Sequence, residues 1–131
     1  MTEHRAACSC GQLQLIARSD PIRVSMCHCL ACQRRTGSTY GAQARFVAED
    51  VTITGESTEY VRIGDEGTAC RFQFCATCGA TVYYWLGDDR SFVAVPVGAF
   101  ADPTFPPPVY SFYEERRHPW VSVPDDAEHA W

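Results

Sequence analysis

Eight cysteines in a chain of 131 residues constrain this fold more than any other feature. They occur as Cys8-Ser-Cys10, then Cys27-His28-Cys29-Leu-Ala-Cys32, then an isolated Cys70, then Cys75-Ala-Thr-Cys78-Gly79. Three tight groups are not random scatter. The opening stretch, Met1-Thr2-Glu3-His4-Arg5-Ala6-Ala7, lacks the apolar core of a signal peptide, so a cytoplasmic, reducing setting is expected. In that setting clustered cysteines read as metal ligands or redox groups before they read as disulfides.

The outer groups suit a structural metal. Residues i and i+2 of an extended strand share a face, so Cys8 and Cys10 can converge on one ion. Cys75-x-x-Cys78-Gly79 has the spacing of a zinc knuckle, in which a tight turn brings two thiolates together. Cys8, Cys10, Cys75 and Cys78 together form the closed tetrathiolate set of a structural zinc. Such a site would staple the N-terminal strand to the second half of the domain. A thioredoxin-like redox CxxC would need a βαβ context, which the strand-rich surroundings do not supply.

The central group is one ligand short. Cys27, Cys29 and Cys32 provide three thiolates, and three protein ligands with an open fourth position are the arrangement of a catalytic zinc. His28 is expected to point away from its two neighbours by strand alternation. Cys70 is the other possible closer: as a ligand it would make both sites closed and the protein a noncatalytic, zinc-stabilised binding module. Otherwise Cys70 is a small buried hydrophobe. A thiol redox enzyme would need a reactive cysteine outside the zinc sets, and only Cys70 is available for that. Three thiolates around a dication favour a soft incoming donor, above all another thiolate. Arg34 and Arg35 follow the group and Arg23 precedes it, so they are candidates to receive the carboxylates of an anionic thiol. The alternative for Arg34 and Arg35 is a solvated position favouring the C-terminal end of a helix dipole.

The rest of the chain reads as short strands in one domain spanning 1–131. Alternation marks strands near 13–17, 39–47, 51–54, 58–63, 68–74, 81–86 and 91–95, with hairpin turns at Gly64-Asp-Glu-Gly67 and Gly87-Asp-Asp-Arg90. One helix is expected, Leu30 to Thr36, capped by Gly37. From about residue 102, Pro103, Pro106, Pro107 and Pro108 are expected to prevent regular pairing. Phe105, Tyr110, Phe112, Tyr113 and Trp120 would then anchor a C-terminal arm over the sheet, and the tail from Asp125 to Trp131 would be loosely held. A net charge of −5, with eleven arginines and no lysine, argues against nucleic acid as a partner. No apolar run approaches a membrane span.

Cys8-x-Cys10-Gly11, Cys27-His28-Cys29-x-x-Cys32 with Gly37, Arg71-x-x-Phe74-Cys75-x-x-Cys78-Gly79 and a late Trp120 resemble the glutathione-dependent formaldehyde-activating enzyme family, which includes the centromere protein V domain. The resemblance covers residues 6 to 124. It implies a mainly β, tent-like fold of packed antiparallel sheets with one or two short helical turns. It also implies two zinc ions per chain, one on Cys8, Cys10, Cys75 and Cys78 and one on Cys27, Cys29 and Cys32. The implied activity is that of a carbon–sulfur lyase joining a small thiol such as glutathione to a small aldehyde.

Overall fold

Strand alternation gives this molecule two faces with different chemistry. The computed structural model describes residues 3–130; Met1, Thr2 and Trp131 lie outside the described residues. Eleven strands run in the order β1 (His4–Ala7), β2 (Gln14–Ala17), β3 (Arg23–Cys27), β4 (Gly41–Val47), β5 (Val51–Thr54), β6 (Thr58–Ile63), β7 (Ala69–Phe74), β8 (Thr81–Leu86), β9 (Phe92–Pro96), β10 (Tyr110–Phe112) and β11 (Glu128–Ala130). The α-helix, α1 (Leu30–Thr36), lies between β3 and β4, and three 3-10 turns complete the described elements. Gly37 ends α1 in a left-handed conformation, with its N–H on the Gln33 carbonyl.

The strands form a three-stranded sheet, β1-β2-β5, and an eight-stranded sheet, β11-β10-β3-β4-β9-β8-β7-β6. On β4, Ala44 and Phe46 point into the core between the sheets, whereas Gln43 and Arg45 point the other way. On β9, Val93 and Val95 enter that core, and Ala94 joins Cys70, Phe72 and Tyr84 in a second cluster on the opposite face. The core also takes Leu13, Leu15, Val24 and Val82, together with Phe100 and Phe105 stacked 4.5 Å apart. One face of the large sheet is thus packed against the small sheet, and the other is free to line a cavity.

The mainly β class and the single helix agree with the sequence, and the hairpins β6–β7 and β8–β9 form as the turn residues direct. The C-terminal arm differs. Tyr110–Phe112 pairs in parallel with Ser25–Cys27, and Glu128–Ala130 pairs in parallel with Tyr110–Phe112. The tail is therefore held by a strand ladder, with Ala127 buried and His129 bonded to Glu114. Pro103, Pro106, Pro107 and Pro108 stop short of residue 110, and Pro119 and Pro124 fall between β10 and β11, so none interrupts the ladder. Phe105 anchors the arm in the core, but Trp120 does not: it is 73% exposed. Among the described residues no helix is long and apolar enough to cross a membrane.

Candidate functional site

The outer cluster sits where the two sheets meet. Cys8 and Cys10 follow β1 of the small sheet, while Cys75 and Cys78 occupy the turn between β7 and β8 of the large one. One sulfur from each of the four residues lies within 4.8 Å of the others. Cys8 and Cys10 Sγ are 3.7 Å apart, and Cys10 and Cys75 Sγ are 3.6 Å apart. Sulfurs ~2.3 Å from a zinc ion at tetrahedral corners stand about 3.8 Å apart, so the donor set fits that ion. Gly79 turns the knuckle at φ 81°, placing its N–H on the Cys75 carbonyl at 2.7 Å.

Hydrogen bonds prepare these sulfurs for a cation. The Gln12 side-chain amide donates to Cys75 Sγ at 3.2 Å, and the Leu13 N–H donates to Cys8 Sγ at 3.3 Å. The Gln12 bond is the main reason that Cys75 falls to about 6, with backbone N–H groups adding to it. A backbone hydrogen bond at Ala80 lowers Cys78 likewise. Against the pull of the Gln12 backbone, the thiols of Cys75 and Cys8 push Cys10 up to about 11. Four thiols this close cannot all ionise without a cation among them.

The central cluster lies on the cavity face. Cys27 ends β3, Cys29 caps α1 and Cys32 sits in its first turn, with the Cys32 N–H on Cys29 Sγ at 3.3 Å. These three sulfurs also gather within 4.8 Å of one another. The hydrogen bond from Cys27 is the largest cause that brings Cys32 down to about 5, and Arg35 adds to it. The same contact and burial push Cys27 well above the usual thiol range. One sulfur thus takes the charge at the expense of its neighbour, and a metal would relieve that competition. Neither His28 nor Cys70 belongs to the cluster. His28 is fully buried and turns to Ser111 Oγ at 3.0 Å, and burial lowers its basicity. Cys70 lies on β7 with Arg62 Nη2 3.7 Å from its sulfur.

Cys27, Cys29 and Cys32 form part of the wall of a cavity of about 730 Å³, and Cys70 also lines it. The floor is a set of strand rungs: Cys27 opposite Gly41, Ser25 opposite Gln43, Arg23 opposite Arg45. Arg35 reaches in from α1 with its guanidinium 5.0 Å from the Phe72 ring centroid, and Arg62 covers the same ring at 5.5 Å. Arg23 lies over Tyr110 and Phe112. Among the described residues, none of these three arginines has a carboxylate within ion-pair distance. The Nε atoms of Arg35 and Arg62 are buried without partners. Arg34 is exposed and does not line the cavity. Arg62 and Gln43, for which the sequence held no local signal, reach the site through strand register alone.

A family model described as glutathione-dependent formaldehyde-activating enzyme matches residues 3–116. The chain belongs to that family. A crystal structure of a Rhodobacter sphaeroides protein is similar in fold, with a TM-score of 0.56 and 20% identity over 76% of this chain and 91% of that one. No curated protein matches the chain. Family membership and the two cysteine clusters agree: this family member carries two sulfur sets, each able to hold a metal ion.

Proposed function

We propose that the protein is a zinc-dependent carbon–sulfur lyase, joining a small anionic thiol such as glutathione to a small aldehyde such as formaldehyde and cleaving the adduct in reverse. One observation carries this reading: three thiols converge on a cavity wall with no fourth cysteine among them. Zinc on Cys27, Cys29 and Cys32 would lower the pKa of an incoming thiol and hold it as a thiolate, while a second zinc on Cys8, Cys10, Cys75 and Cys78 would be structural.

The cavity residues would do the rest. Arg35 and Arg62 meet over Phe72 without carboxylate partners, so they receive the acidic groups of the thiol. Asp65 and Glu66, also on the cavity lining, suit an ammonium group on the same ligand. Phe72, Tyr84 and Leu86 supply apolar wall that holds both reactants and limits water. In the addition a carbon–sulfur bond forms, the carbonyl π bond opens onto oxygen, and that oxygen takes the equivalent of the proton the thiol released. The reaction needs neither nucleic acid nor membrane, and a cytoplasmic thiol pool would supply it.

Zinc content measured beside adduct formation, followed by NMR with carbon-13 formaldehyde, tests the reading. Two zinc ions per chain and adduct formation well above the buffer rate are expected. A fully zinc-loaded protein that leaves the buffer rate unchanged with glutathione and simpler thiols would refute it.

A further inference from the structure

The edge strands of the two sheets differ in length and character. β1 and β5 border the small sheet with four residues each, and β11 ends the large sheet with three, of which Glu128 and His129 are polar. β6 ends the large sheet on the other side with six, from Thr58 to Ile63. Its residues 58–61 are all exposed, and Tyr60 and Ile63 leave 61% and 63% of their surface in solvent. An edge of this length, with no proline or lysine to blunt it, is a template for another strand.

The register shows which of its backbone groups are free. The Gly64 N–H donates to the Thr68 carbonyl at 2.9 Å, while the Ala69 carbonyl turns toward β8 and accepts from the Gly87 N–H. Hydrogen-bonded and non-bonded pairs alternate along an antiparallel ladder. Thr58, Tyr60 and Arg62 therefore bond to Phe74, Phe72 and Cys70 of β7, and Glu59, Val61 and Ile63 aim their N–H and C=O groups outward. The side chains alternate as well. Tyr60 and Arg62 lie beside Phe72 on the cavity face, and Glu59 meets Gln73 on the opposite face.

We propose that β6 pairs antiparallel with β6 of a second copy, about a two-fold axis at Val61, so that the large sheets of a homodimer are continuous. In this register Val61 faces its own copy and Glu59 faces Ile63, so all the outward backbone groups find partners. On the cavity face Tyr60 of each copy faces Arg62 of the other, a ring against a guanidinium on both sides of the axis. Sliding the partner either way leaves an outward residue with no strand opposite, and one direction sets Arg62 against Arg62. A slip of a single residue puts cavity-face side chains opposite those of the other face. A second copy fits better than a foreign strand because one sequence supplies both halves of each contact, the ring at 60 and the cation at 62. Arg62 lines the cavity, so Tyr60 of the partner subunit joins the rim of the site. The proposal does not depend on the reaction assigned above.

Sedimentation velocity of the zinc-loaded protein tests this. One strand of contact falls at the small end of specific interfaces, so a dissociation constant in the micromolar range is expected. The mass of two chains well above that range, falling to one chain on dilution, is the expected result; one chain throughout overturns the proposal. Val61→Lys and Val61→Glu each set like charges against themselves at the axis, so each alone should sediment as a monomer with unchanged circular dichroism. An equal mixture of the two should regain the dimer. Single variants that stay dimeric, or a mixture that stays monomeric, overturn the proposal. Should a variant fail to fold, hydrogen exchange of the unaltered protein decides. The amides of Glu59, Val61 and Ile63 should be protected in concentrated protein and lose that protection on dilution, while those of Tyr60 and Arg62 stay protected. Exchange that ignores concentration would overturn it.

Discussion

The two thiolate clusters use one side chain on opposite faces of the same sheet. The outer cluster borders the packed face, where Cys8 and Cys75 are buried in the core, and it draws its sulfurs from two segments far apart in the chain. The central cluster borders the cavity and takes all its sulfurs from residues 27 to 32. The difference in sequence span would set the work that a metal on each cluster could do. An ion that joins distant segments closes a long loop and ties two sheets together, so its binding energy is folding energy. An ion held within one strand-to-helix turn closes almost nothing, because β3 and α1 are already fixed by sheet pairing and by the Gly37 cap.

The largest expected effect comes from breaking the outer set. Cys75→Ser removes the sulfur that Gln12 supports and leaves three crowded thiols around a weakened ion. Structural zinc is worth about 10 kcal/mol or more, comparable with the whole stability of a domain this size. The variant should be insoluble or lack the circular dichroism of a β protein. Melting like the unaltered protein would erase the contrast between the clusters. Cys32→Ser comes next: it should stay folded, lose one equivalent of zinc by elemental analysis and lose adduct formation. If it loses secondary structure as well, the central ion is also structural.

A graded chelator sharpens the same contrast with no mutation. A metal on the central cluster would have three protein ligands facing an open cavity, and one on the outer cluster would have four at a sheet junction. The first equivalent of zinc released should abolish activity with no loss of near-ultraviolet dichroism, and the second should unfold the chain. Release in the opposite order would invert the assignment.

The smallest effects should separate two kinds of arginine. Arg62→Ala removes a guanidinium braced over Phe72 and should cost about 1–3 kcal/mol of affinity for an anionic thiol, with much less effect on an uncharged thiol. Arg34→Ala, outside the cavity, should change neither. Calorimetric titration with glutathione and with 2-mercaptoethanol makes the comparison. Equal losses for the two ligands with Arg62→Ala would make that arginine structural.

Much of this molecule was legible in its sequence where the signal is local. The helix with its glycine cap, the two hairpins and the grouping of the cysteines all depend on residues within a turn of one another. What was missed depends on distant partners. In β3, Arg23, Ser25 and Cys27 face the cavity while Val24 packs into the core, but the alternation spans only five residues and runs into the cysteine group, so it does not stand out as a strand. Tyr110–Phe112 becomes a strand only because β3 offers a parallel edge 85 residues away, which no local pattern of prolines and aromatics encodes. The site divides in the same way. The metal-binding spacing is written in the chain, but Arg62 reaches the cavity through its pairing with Cys70, and Gln43 through its pairing with Ser25.

The central claim is that one sulfur cluster is closed and the other open, and cobalt in place of zinc tests it most directly. Cobalt bound by four thiolates has one set of visible absorption bands, and a three-thiolate site changes its bands when a thiol takes the fourth position. The outer cluster should contribute a constant tetrathiolate spectrum. The central cluster should add bands that shift as glutathione is titrated, and Cys70→Ala should leave both the cobalt content and the shift intact, because Cys70 lies outside the cluster. A fully loaded protein whose spectrum ignores added thiol, and which begins to respond only after Cys70→Ala, would show two closed sites and contradict the account.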